Sequence, residues 1–228
     1  MKIKYDFHIH SALSPCADND MTPVNIVAYA SLSGLNMIAL SDHNAIGNVE
    51  VALKAGKAFG VTVVPAIEVQ TSEDIHILCL FRNFKDLSDF HSSLKIPEIK
   101  NKPEIFGDQL ILDEDDVIIE RYDNLLLVSA EISSGELPGL TDKFNGIAIP
   151  AHIDREANGM LQILGAIEKG YNAVELSTKA SETEIAEYSK KYKLLIDSDA
   201  HTLSDISEKS EIDLKENSIE ALFEYLKG

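Results

Sequence analysis

The side chains best suited to chemistry in this chain are histidines and carboxylates, and their spacing is regular. His8 and His10 lie two apart in Lys4-Tyr5-Asp6-Phe7-His8-Ile9-His10, a stretch that alternates apolar and polar residues. That period belongs to a strand, so both imidazoles leave on one face. Imidazole is the commonest protein ligand for zinc and related metals, and two on one face make half a site. Taken alone, such a pair fits equally a solvated strand face or core histidines satisfied by hydrogen bonds. The other histidines shift the balance, because six of the seven lie on or just after predicted strands. His43 follows the apolar run 36–40, His76 opens the run 74–81, and His152 follows 146–151. Asp199 and His201 repeat the two-residue spacing after 194–197. Only His91 falls on a predicted helix, and it reads as a plain surface or helix residue. Glu68 sits at the end of the β-branched run 61–67. A carboxylate buried there must be paired or must coordinate a metal, and between two metals it can bridge them.

These residues need elements to position them. Thr22-Pro23 reads as an N-cap followed by Pro at the first helical position, opening a helix that runs to Gly34. A second helix spans about 49–59 and stops at Gly60. Phe84, Leu87, Phe90 and Leu94 repeat at helical spacing. Residues 97–140 carry the weakest pattern. The acidic cluster within 111–120 reads as a solvated turn, since a calcium loop needs ligands at alternating positions and a central Gly. Strands follow at 146–151, 172–176 and 194–197, with helices at 158–169, 181–192 and 217–227. The helix at 181 starts with the capping box Ser181-x-x-Glu184. Alternating strands and helices predict a parallel sheet with helical crossovers. The polar residues cluster at strand ends, where α/β barrels build their active-site rim.

The chain has 228 residues and a net charge of −18, from 38 acidic and 20 basic side chains. That length suits one domain, 1–228. The charge argues against long nucleic acid and anionic membrane partners, although bound cations can invert the local field for a phosphate substrate. Two cysteines, Cys16 and Cys79, without a CxxC make a disulfide framework or a Cys-rich zinc site a poor reading. No apolar leader or membrane-length run occurs, and a cytoplasmic protein is the simplest expectation. Nothing in the sequence speaks to oligomeric state.

The set His8-Ile9-His10, Ser41-Asp42-His43, Glu68, His76, His152 and Asp199-Ala200-His201 resembles the PHP (polymerase and histidinol phosphatase) superfamily, in particular its small metal-dependent phosphoesterases. The match follows the family's order across almost the whole chain. The resemblance implies a distorted (β/α)7 barrel with two to three divalent cations at its mouth, manganese, zinc or iron. It implies one metal on His8, His10, Glu68 and Asp199, a second on Glu68, His76 and His152, and a third on His43 and His201. The third needs a further ligand from the loop after the first strand. Relatives place His or Asp there, whereas this chain reads Ser14-Pro15-Cys16-Ala17-Asp18-Asn19-Asp20. Cys16 falls near the expected place, but Asp18 is preferred, because hard oxygen ligands suit manganese or magnesium and thiolate suits softer metals.

Asp42 is expected to accept a hydrogen bond from a ligating imidazole and fix its tautomer, and Asp197 could do likewise. For both, a capping carboxylate is the equal alternative. Glu175 could line the mouth or form a structural salt bridge. Arg155 is the candidate phosphate clamp, through bidentate guanidinium bonds, against an ion pair with Asp154 or Glu156. The chemistry expected is direct hydrolysis of a small phosphate ester (a nucleotide, sugar phosphate or short oligonucleotide) by a metal-bridging hydroxide. The alternatives are an amidohydrolase on the same scaffold or a non-catalytic accessory domain.

Overall fold

The computed structural model describes residues 1–227. Strand β1 (Lys2–Ile9) runs parallel to β2 (Met37–Leu40), and β2 parallel to β3 (Thr62–Gln70). Helices α1 (Pro23–Leu32) and α2 (Val49–Phe59) make the two crossovers. Thr22 caps α1 by accepting from Asn25 N, and Pro23 sits where a missing N–H costs nothing. Gly60 ends α2 at φ +74°, a conformation that suits glycine.

An all-parallel sheet is not what forms. Strand β4 (His76–Leu80) returns antiparallel to β3 through a tight turn in which Asp74 takes φ +63°. The first residue of β4 therefore lies at the same end of the sheet as the last residues of β1 to β3. Next come α3 (Phe84–Ser93), α4 (Pro103–Phe106), the hairpin β5 (Leu110–Leu112) with β6 (Ile118–Arg121), and α5 (Leu137–Lys143). Every residue of β6 is exposed, so no burial period marks it in the sequence.

Strand β7 (Ile147–Pro150) is antiparallel to β4, which restores the first direction. Helix α6 (Met160–Leu164) is shorter than the pattern predicts, because Gly165 already takes the left-handed C-cap at φ +76°. Strands β8 (Ala173–Ser177) and β9 (Lys193–Asp197) form a parallel pair linked by α7 (Glu182–Tyr188). Backbone bonds tie this pair to its neighbours at one end: Ile153 N to Glu175 O at 2.9 Å and Ala200 N to His8 O at 3.1 Å. The result is a distorted α/β barrel made of two sheets, β1-β2-β3-β4-β7 and the separate pair β8-β9, with β10 (Ser210–Asp213) added antiparallel to the outer edge of β1. Helix α8 (Ile219–Lys227) packs Leu222, Phe223 and Leu226 into the cluster that holds Ile3, Tyr5 and Phe7. It closes the end away from the histidines.

A register irregularity between Asp6 and Ile9 matters for the site. Tyr5 and Phe7 belong to one core cluster, whereas Ile9 belongs to the other. The alternation thus inverts within β1, and a bulge is the device that does this. His8 and His10 come to lie over the face that Tyr5 and Phe7 fill below.

Candidate metal centre

Five imidazoles converge on the carboxylate of Glu68, which is completely buried. His8 Nε2, His76 Nδ1 and His152 Nε2 lie 3.1, 3.0 and 3.3 Å from Oε1; His43 Nδ1 and His10 Nε2 lie 2.8 and 3.5 Å from Oε2. These distances are short, yet His8 Nε2, His43 Nδ1 and both Glu68 oxygens are buried without a hydrogen bond. Buried polar atoms are normally paired, so nitrogens and oxygens that crowd together without pairing fit a shared cation. Burial alone would raise the Glu68 carboxyl, but His76, His8 and His43 hold it well below the usual range.

Hydrogen atoms sharpen the argument. Ser14 Oγ gives its single proton to Asp42 Oδ1 at 2.7 Å, so His10 Nδ1, 3.0 Å from that oxygen, must be the donor to it. Burial and the neighbouring His43 push His10 down to about 3, which leaves the ring neutral. Its bare Nε2 then faces Asp199 Oδ1 at 2.9 Å, two lone pairs with nothing between them unless a cation lies there. Asp199 is held well below the usual carboxylate range against its burial, by His8 and then His10. His8 is pinned from behind, with both Glu175 oxygens 3.0 and 3.1 Å from Nδ1. Burial would lower this imidazole, but Glu175, Glu68 and Asp199 together raise it well above 6.5. The same Glu175 accepts from His152 N at 3.1 Å.

The rim needs unusual backbone. His152 and Asp199 take φ +30° and +52°, a region non-glycine residues seldom enter and which functional sites often hold in place. The expected parallel end placement holds for His10, His43, His152 and Asp199; His76 arrives from the start of the reversed β4 instead.

Several expected roles are reassigned by the geometry. Asp18 is exposed, and its backbone N–H donates to His201 O at 2.9 Å; it joins no ligand cluster. Cys16 does, because the chain turns at Ser14 and brings its sulfur within 4.8 Å of ligand atoms of His10, His43 and His201. Cys16 is exposed as well, and desolvation of its thiol against the histidines, with Glu68 and Asp199, pushes it up to about 12. Asp42 bonds no imidazole directly; it accepts from Ser11 N, Ser11 Oγ and Ser14 Oγ at 2.6–2.7 Å and reaches His10 through Ser14. Asp197 accepts from Phe7 N at 2.6 Å rather than from a histidine. Arg155 pairs with neither of its sequence neighbours. Its Nη1 binds Asp199 Oδ2 at the mouth, while Asp154 accepts from Ser177 N and Oγ. His91 Nε2 lies 3.2 Å from the Asn44 carbonyl. The parts played by Ser11 and Ser14 match no expectation, whereas Glu175, expected at the mouth or in a salt bridge, sets both carboxylate oxygens against His8 Nδ1.

An α/β barrel whose rim gathers imidazoles around a buried carboxylate defines the class of metal-dependent hydrolases. The PHP domain family matches residues 6–227, and the chain belongs to that family. The "5'-3' exoribonuclease" of Haemophilus influenzae is 35% identical over 83 residues, 35% of this chain and 29% of that protein. An uncharacterised protein of Methanocaldococcus jannaschii is 38% identical over 90 residues, 36% of this chain and 52% of that one. The chain thus spans about a third to a half of these curated relatives in the aligned parts. Among solved structures, the lesion-specific endonuclease PfuEndoQ of Pyrococcus furiosus superposes with a TM-score of 0.72 at 18% identity, covering 100% of this chain and 56% of that one.

The expectation of a small phosphorylated substrate and no long nucleic acid is overturned by this comparison. Endonuclease Q, of the same fold at a TM-score of 0.70, holds a 27-mer duplex with an abasic lesion at its active site. Net charge misleads because −18 is a sum over the chain, whereas a nucleic acid meets the local field of the mouth. Arg155 stands there and divalent cations would add positive charge, while the acidic run Asp113–Asp116 sits on the β5–β6 turn. Among the described residues no helix is long and apolar enough to cross a membrane.

Proposed function

We propose that residues 1–228 act as one catalytic domain that hydrolyses a phosphate ester carried by a nucleic acid. The observation that carries this reading is the Glu68 carboxylate at the focus of five imidazoles, with its oxygens buried and unpaired. His8, His10, Glu68 and Asp199 would hold one divalent cation, and Glu68, His76 and His152 a second, with manganese, zinc and iron all compatible with these donors. When bound, such cations lower the pKa of water and neutralise charge on phosphoryl oxygens. The name of the Haemophilus influenzae relative and the duplex bound by endonuclease Q support a nucleic acid substrate.

The chain's own residues prepare the reaction. Glu175 fixes the His8 ring through Nδ1, and the Asp42–Ser14 relay fixes His10, so both present Nε2 to the centre. Arg155, half exposed above Asp199, is placed to take phosphate oxygens in a bidentate grip. No Ser or Cys nucleophile is needed, and water attacks the ester directly.

The test uses metal-reconstituted protein with 5'-phosphorylated RNA and DNA strands and a duplex with an abasic site, each with and without chelator. Chelator-sensitive cleavage is expected, and Arg155→Met should raise KM more than it lowers kcat. Hydrolysis of amides or lactones with no phosphate ester cleaved would overturn the reading in favour of an amidohydrolase.

A further inference from the structure

The cluster of Cys16, His10, His43 and His201 stands beside the Glu68 centre but differs in its chemistry, because it contains sulfur. His201 Nδ1 lies 2.7 Å from the Asp199 carbonyl, which can only accept, so the ring's lone pair is left on Nε2. The rings of His43 and His201 flank His10, each with its centroid 4.5 Å from that of His10. The loop that carries Cys16 is anchored rather than free. Ser11 and Ser14 both donate to Asp42, Ala17 N bonds Ser14 O at 3.0 Å, and Asp18 N bonds His201 O at 2.9 Å. Gly107, at φ +104°, presses on the same loop so closely that a Cβ there would meet Pro15 O at 2.1 Å. The backbone on either side of Cys16 is thus fixed from several directions, and it sets the exposed residue's sulfur beside the histidines.

We propose that Cys16, His43 and His201, with His10 at their margin, form a nitrogen–sulfur site for a thiophilic divalent cation such as zinc. This site is chemically distinct from the carboxylate-bridged positions at Glu68. The inference rests on the metal-centre reading above and assigns the metal chemistry of its outer site. Three protein ligands leave a fourth tetrahedral position open, as in zinc sites that bind water or substrate. On coordination the S–H bond is replaced by a metal–sulfur bond and the proton leaves to solvent. Thiolate selects zinc over manganese or magnesium, whereas the oxygen-rich pair accepts the harder ions.

Cobalt(II) is the probe, because thiolate coordination gives it a near-ultraviolet charge-transfer band that nitrogen and oxygen ligands do not. The full chain is stripped with chelator and titrated with cobalt. The band is expected to appear in the wild type, to persist in Cys79→Ala, which removes only the other thiol, and to vanish in Cys16→Ser. Visible ligand-field bands from the Glu68 positions should remain in Cys16→Ser, which also shows that this variant folds. Zinc should abolish the wild-type band at concentrations where manganese does not. Cobalt bound with ligand-field bands but no charge-transfer band in the wild type would overturn the thiolate site and leave the Glu68 centre standing. Failure to bind cobalt at all would overturn both.

Discussion

Glu175→Gln separates metal positioning from simple structural support. The carboxylate is fully buried, places both oxygens 3.0–3.1 Å from His8 Nδ1, and takes His152 N at 3.1 Å. Glutamine keeps one acceptor oxygen, turns the other contact into donor against donor, and removes the charge that makes His8 a better ligand. Loss of such a partner behind a metal-binding histidine typically costs about 10–100-fold in metal affinity, or roughly 1.4–2.7 kcal/mol. The metal-free protein should respond differently. Asp197, 1% exposed and raised well above the usual range by burial, Glu175 and Asp6, is relieved of a neighbouring charge. Measured above the raised His8 value, where no imidazolium is left for Glu175 to pair, metal-free stability should stay within about 1 kcal/mol of the wild type. Calorimetric titration with manganese against a competing chelator measures the first quantity, and urea unfolding in chelator the second. Unchanged manganese affinity, or a fall in metal-free stability as large as the loss in affinity, would refute the positioning role.

Three further outcomes follow from the same geometry. Gly107→Ala forces a side chain into a backbone region that is almost exclusively glycine's and onto Pro15 O, so urea unfolding should show a loss of at least about 1–3 kcal/mol. Phe223→Ala, at the closed end of the barrel, should cost about 3–5 kcal/mol while leaving metal stoichiometry intact. In chelator, the raised His8 contributes stability that is complete below its unfolded value of 6.5 and is lost as pH rises through its higher folded value. Denaturation of metal-free protein from neutral to alkaline pH should show this decline, and His8→Asn should flatten it.

The gathering of histidines and carboxylates at strand ends was legible in the sequence because strand period marks it without reference to tertiary structure, whereas their grouping into metal sites came from the family resemblance. His8 with His10, and Asp199 with His201, announce shared faces by spacing, and Glu68 stands out as a carboxylate at the end of a β-branched run. The reversal of β4 was not legible, since it depends on the tight turn around Asp74, and a strand reads alike in either direction. The choice of Asp18 over Cys16 followed ligand softness, whereas the loop path is decided by Ser11 and Ser14 closing onto Asp42, contacts between residues about thirty apart in sequence. Arg155 was placed at the mouth, but its partner Asp199 lies on a different part of the barrel, and the local alternative Asp154 is already taken by Ser177. Net charge was the weakest guide, because it carries no information about where the charge sits.

The most direct test of the account is a crystal structure of the chain grown with manganese, with anomalous scattering recorded to locate the ions. The account predicts peaks in contact with both oxygens of Glu68, one bounded by His8, His10 and Asp199 and the other by His76 and His152. Peaks confined to surface carboxylates such as Asp113–Asp116, with the Glu68 oxygens touching only imidazole, would contradict it.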